Sequence, residues 1–234
     1  MEKCNRCRKE AHHTHHKNHN HNDNRLENLE RLCTFCHAKE HKIEPKFSEL
    51  KKLIVYYEKV QKMRVAIRNS LMSFKRIELD PPKGLVDEAE KLRKLEHNFE
   101  KEIKNYWEEN PTPLYEWAIK IKGVGGVSIA KILSQIDFKR TPGVSSLWAY
   151  AGFTPESNKR KGVKANWNGY LKSYCFQLVD CMIKARTPKY RDVYDREKEK
   201  QLVKGLKKRH SHNRALRKVA KVFLRDLYLV GVDK

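Results

Sequence analysis

Four cysteines near one end of the sequence come in two pairs, Cys4-x-x-Cys7 and Cys33-x-x-Cys36, with 25 residues between the pairs. Two such knuckles bring four soft thiolates within reach of one tetrahedral ion, the donor set of structural Zn²⁺. Eight of the chain's 11 histidines fall within residues 12–41, among them His12-His13, His15-His16, His37 and His41. A neutral imidazole can take a proton from water or ligate a divalent ion. Hydrolysis of a phosphodiester needs both: a base for the water and a cation against the charge that develops at phosphorus. His37 and His41 are four apart, so a helix after the second knuckle would carry them on one face.

These residues need elements to position them. Residues 1–43 are too few for a stable apolar core, so this first domain needs a metal staple. The opening Met-Glu-Lys-Cys has no apolar signal core, and no apolar run approaches the roughly 20 residues of a bilayer span. These features predict an intracellular protein with no membrane partner, where clustered thiols stay reduced and available to metal. The 234 residues allow one large domain or two small ones. Mean hydropathy is −0.84, polar for a globular protein, but the aromatics and leucines exclude disorder throughout. The net charge of +22 makes an anionic partner the first expectation.

Residues 44–110 read as a second domain. Leu50, Leu53, Tyr57, Val60, Met63, Ile67, Leu71 and Phe74 step by three or four along one stripe. After the breaker Asp80-Pro81-Pro82-Lys83-Gly84, a second stripe runs through Leu85, Ala89, Leu92, Leu95, Phe99, Ile103 and Tyr106. This predicts an antiparallel helical hairpin whose narrow stripes pair with each other or with a second copy, making a homo-oligomer. Pro111 and Pro113 open a helix-rich third domain, 111–234.

The finger's text, from His15-His16 through Asn28-Leu29 and Leu32-Cys33-x-x-Cys36-His37 to His41, resembles the HNH endonuclease family in its zinc-knuckle form. The resemblance covers residues 4–41 and implies a ββα-metal fold. It implies His16 as general base, His15, His37 and His41 as ligands of a catalytic Mg²⁺, Mn²⁺ or second Zn²⁺, and Asn28 as the residue that orients the base loop or touches that metal. His12 and His13 form a rival pair. Asn18 stands where the family often has an acidic residue.

Farther on, Tyr115 to Lys122, then Gly123-Val124-Gly125, then Val127 to Leu133 read as helix, glycine turn, helix. The segment resembles the helix-hairpin-helix motif, whose turn approaches a phosphate and whose second helix offers free N–H groups. Lys122, Gly123, Gly125 and Lys131 are the expected contacts, to backbone and not to bases. Trp148-Ala149-Tyr150-Ala151-Gly152-Phe153-Thr154-Pro155, a Ser157 loop and the basic Lys207 to Ala220 segment resemble the C-terminal domain of the insertion-sequence 110/116/902 transposases, over residues 114–228. That resemblance implies Ser157 as a recombination nucleophile forming a covalent link to DNA. The family usually has Ser-Gly, whereas Asn158 follows here, and its N-terminal acidic nuclease-like domain has no counterpart. Residues 184–221 hold 15 Lys and Arg against four Asp and Glu, with Tyr190 and Tyr194 interleaved. Lys207, Lys208, Arg209, Arg214, Arg217 and Lys218 are the expected nucleic-acid contacts. Cys175 and Cys181 read as core thiols.

The expectation is therefore a mainly α protein: a zinc-stapled HNH-like finger, a helical hairpin and an all-α helix-hairpin-helix domain. Its expected function is metal-dependent DNA cleavage for a mobile element. A non-catalytic architectural protein and a serine recombinase-like transposase are the alternatives, and structured RNA is the alternative partner to DNA.

Overall fold

The computed structural model describes all residues except 1, 2, 19–22, 41–44, 139, 140, 158–160, 164, 233 and 234. The chain divides into two compact units, Met1–Glu49 and Leu50–Lys234. It is mainly helical, with one two-stranded sheet among the described residues. Among those residues, no helix is long and apolar enough to cross a membrane.

The first unit is built on strands β1 (His13–His16) and β2 (Leu29–Leu32), followed by helix α1 (Thr34–Glu40). The strands are antiparallel, with His13 opposite Leu32 and His16 opposite Leu29. The first knuckle closes on itself through the Cys4 N–H to Lys9 C=O bond, 2.7 Å, and docks on β2 through the Asn5 N–H to Arg31 C=O bond, 2.9 Å. Arg6 grips Glu30 with two nitrogens at 3.0 Å each and also pairs with Glu40. The buried hydrophobics of this unit are Cys4, Leu32, Cys33 and Cys36, with Ala11 packed beside them.

The second unit contains most of α2 (Pro45–Arg76), then α3 (Lys83–Glu109), α4 (Pro113–Ile119), α5 (Gly126–Leu133), α6 (Val144–Tyr150), α7 (Gly169–Lys184), α8 (Pro188–Val203) and α9 (Lys208–Val232). Local signals start several of them. Thr112 caps α4 by accepting the Tyr115 N–H, with Pro113 in the first turn. Asn168 caps α7 by accepting the Leu171 N–H, and Pro188 opens α8. Helix α9 is central and packs against α4, α6, α7 and α8. Its buried face runs Ala215, Leu216, Val219, Ala220, Phe223, Leu224 and Leu227.

Helices α2 and α3 lie antiparallel, since Tyr57 bonds Glu100 while Gln61 and Arg64 bond Glu96. Leu50, Tyr57, Val60, Leu92, Ile103 and Tyr106 of the two stripes are buried. Met63 and Leu95, expected on the stripes, are 57% and 42% exposed instead. Glu96 takes the buried position. The reason is electrostatic: Arg64 and Gln61 of α2 reach that position and satisfy its carboxylate. The root of the pair, including Leu50, Ile54, Ile103 and Trp107, shares one core with α4 to α9.

Candidate metal centre and nucleic-acid interface

The Sγ atoms of Cys4, Cys7, Cys33 and Cys36 all lie within 4.8 Å of one another, an arrangement that could bind a metal ion such as zinc. Cys7 and Cys33 sulfurs are 3.5 Å apart, and the Cys36 N–H donates to the Cys33 sulfur at 3.4 Å. That amide is the chief reason the Cys33 thiol is drawn below its ordinary range. Burial disfavours the Cys4 thiolate, but backbone N–H groups of Cys33, Cys7 and Arg6 outweigh it and bring Cys4 down to about 6. Amides aimed at sulfur favour the anionic form, which is the form that ligates. The donor set and its setting fit Zn²⁺.

The histidines stand beside this cluster. Strand residues alternate faces, so His13 and His15 share the face opposite to that of Thr14 and His16. The His13 ring stacks on His37 of α1 at 4.6 Å, and the buried His15 ring meets the same His37 edge-on at 5.6 Å. His15 and His37, two of the expected ligands of a catalytic metal, are therefore neighbours through their rings. His13, ranked in the rival pair, joins them. His12 is exposed. His16 faces the following loop, with Nε2 3.1 Å from Asn24 Oδ1. His41 lies outside the described residues.

Asn28 is buried and straps that loop. Its Oδ1 accepts the Asn18 N–H at 3.0 Å, and its Nδ2 donates to the Asp23 C=O at 2.7 Å. These bonds tie both ends of that loop to Asn28. Sequence reasoning missed Asp23. Its carboxylate is held down to about 2, chiefly by the Arg25 side chain, then by the Arg25 and Asn18 bonds and the nearby His16. An acid in loop position 23, not directly after the histidines, therefore supplies the negative charge near His16. Asn18 Nδ2 donates to the Asp23 carboxylate at 2.8 Å across five residues of the loop.

In the helical unit the expected phosphate contacts separate. Lys122 and Gly125 are exposed in the turn between α4 and α5. Gly123 has φ +85°, and a Cβ there would lie 2.8 Å from the Ala185 side chain and 3.0 Å from the Cys181 C=O. Thr187 ties the same turn down, donating to the Lys122 C=O at 2.5 Å. Glycine at 123 therefore answers to the α7–α8 corner and the left-handed backbone.

Lys131 is a correction. It is buried, with Nζ 3.3 Å from Glu58 and over the rings of Tyr57 and Tyr174 at 5.1 and 5.5 Å. Its charge is consumed in the core and does not reach a phosphate. Tyr190 and Tyr194 are buried too, bonded to Asp226 and His212. Cys175 is buried as expected, whereas Cys181 is exposed.

Lys207, Lys208, Arg209, Arg214 and Lys218 are exposed on or next to α9. Arg217 is half-buried and donates to the C=O groups of Phe153 and Thr154 at 2.8 Å each. Ser157 sits just beyond, its Oγ 2.9 Å from Thr154 Oγ1. Asn158 lies outside the described residues. No family model and no curated protein matches this chain.

Proposed function

We propose that the chain is a metal-dependent DNA endonuclease of a mobile element, with its reacting centre on the first unit and a nucleic-acid grip on the second. The observation that supports this best is the histidine arrangement. His13 and His15 share one face of β1 against His37, and His16 faces a loop strapped by Asn28. An HNH-like reading draws support from His15 and His37 lying together and from Asn28 holding the loop that His16 faces.

In this reading His16 Nε2 takes the proton of the attacking water, and Asn24 and Asp23 hold and bias the imidazole. His15 and His37 would hold a divalent ion, which would supply charge against the oxygens at phosphorus. The four cysteines would hold a zinc ion that keeps the strands and α1 in register. The exposed cations of α9 hold the strand by its phosphates.

Nicking of supercoiled plasmid with Mg²⁺ or Mn²⁺ tests the proposal. His16→Ala should abolish nicking by ~100-fold or more while DNA affinity stays within about twofold, because a base acts in the transition state. If His16→Ala nicks normally and a covalent protein–DNA adduct disappears with Ser157→Ala, the serine reading replaces this one. Tight binding with no cleavage and no adduct leaves an architectural protein. Self-association through α2 and α3 is part of the proposal. The apolar residues still exposed there, Met63, Met72, Ile77, Leu79 and Val86, are its support. Sedimentation showing only monomer at micromolar concentration would remove it.

A further inference from the structure

In the second unit Lys131 is matched by Glu58 and Arg64 by Glu96. One group of cations has no such match. Lys172 of α7 and Arg217 and Lys221 of α9 are half-buried, with Lys218 exposed next to them. Among the described residues none of the four pairs with a carboxylate.

Two indoles hold the lysines in place. The Trp148 ring lies 4.1 Å beneath Lys221 Nζ, and its own Nε1 donates to the Lys221 C=O at 2.9 Å. The Trp167 ring lies 5.1 Å from Lys172 Nζ. Trp167 is itself seated on Gly152, where φ is +72° and a Cβ would stand 2.5 Å from the indole. Arg217 is fixed by the carbonyls of Phe153 and Thr154, which leaves guanidinium N–H groups uncommitted. Burial and then Arg217 draw the Lys172 ammonium below its ordinary range. Burial, Lys218 and Arg217 do the same to Lys221. Folding therefore brings like charges together at a cost and holds each in one place, an arrangement that an anion would relieve.

From this geometry we infer that Lys172, Arg217, Lys218 and Lys221, with the Thr154 and Ser157 hydroxyls at their edge, form a binding site for the phosphodiester backbone of a DNA strand. The inference rests on the nucleic-acid reading above and names where on the second unit the strand is gripped. The indole faces are occupied by ammonium groups, so the site takes phosphates and reads no bases. It is distinct from the exposed Lys207-Lys208-Arg209 segment, whose side chains have no such seating.

The test compares Lys172→Gln/Lys221→Gln with wild type. DNA affinity should fall roughly 10- to 100-fold at about 0.1 M salt, and the log–log salt slope by about 1.8. The thermal midpoint without ligand should equal or exceed that of wild type, since repulsion is removed. Lys172→Arg/Lys221→Arg keeps the charge and should keep affinity and slope, which separates charge from folding. An unchanged affinity and slope in the Gln variant, with wild type still binding DNA, overturns the site alone. Wild type with no salt-sensitive affinity for DNA or RNA overturns the nucleic-acid reading. If the Gln variant loses only RNA binding, DNA is the wrong occupant. Stabilisation by inorganic pyrophosphate with no strand bound overturns the strand.

Discussion

The two units reach order by different means. Residues 50–234 bury a continuous set of aliphatic and aromatic side chains, with Phe153, Phe223 and Leu178 fully enclosed. Among the described residues, the first unit buries Leu32 and three cysteines, with Ala11 beside them. Hydrophobic burial contributes about 25 cal/mol per Å², so the second unit's core is a large term to set against chain entropy. In the first unit four sulfurs within 4.8 Å of one another could tie the chain through a metal ion. The second can place charges against one another, as at Lys172 and Arg217, because its core carries the cost.

Metal removal should split the units most sharply. A strong chelator, or Cys33→Ser/Cys36→Ser, should unfold residues 1–49 completely, as expected where metal binding supplies on the order of 10 kcal/mol of folding free energy. Helical circular dichroism of residues 50–234 should persist. Joint loss of both signals would break the contrast. Phe223→Ala is the reverse case. It empties a fully buried site stacked near Trp117 and should cost about 3–5 kcal/mol in the second unit, while metal content stays at one per chain.

Glu96→Ala should cost less, about 1–3 kcal/mol by denaturant unfolding, because Arg64 loses its partner but is partly exposed. Replacing both by leucine should recover stability and loosen register or oligomer state. The Glu96 carboxylate is opposed by burial and rescued by Arg64 and Gln61, so its pKa is depressed. Its contribution is present above the ordinary carboxylate range and lost as pH falls through the lowered value. The smallest effect is local. Asp23 titrates near about 2 against an ordinary 3.8, and Arg25→Gln should return it toward the ordinary value by NMR titration. The loop tie through Asp23 is present above the ordinary value and fails as pH drops through the depressed one.

The four-cysteine cluster was legible because its two pairs have the short spacing that a knuckle fixes locally. Helices α2 and α3 were legible from periodicity, and the start of the third domain from Pro111 and Pro113. What escaped reading depends on partners distant in sequence. Lys131 resembles any surface lysine on α5 until Glu58, 73 positions earlier, meets its ammonium. Leu95 and Glu96 are adjacent, and apolarity favours the wrong one. The choice is made by Arg64 and Gln61 across the helix pair. His13 outranks His12 as a neighbour of His37 through strand alternation, which needs the strand's start to be known.

The Arg64–Glu96 layer has a consequence in time. It interrupts the apolar seam of α2 and α3. Beyond it, toward the turn at residues 77–82, Ile67, Leu71, Phe74, Leu85 and Ala89 are only partly covered. On the near side Leu50, Tyr57, Ile103 and Trp107 belong to the main core. The outer half can open without disturbing the root, so its amides should exchange with solvent through openings far less costly than global unfolding. The paired helices therefore combine one end that shares the main core with another that is only partly covered.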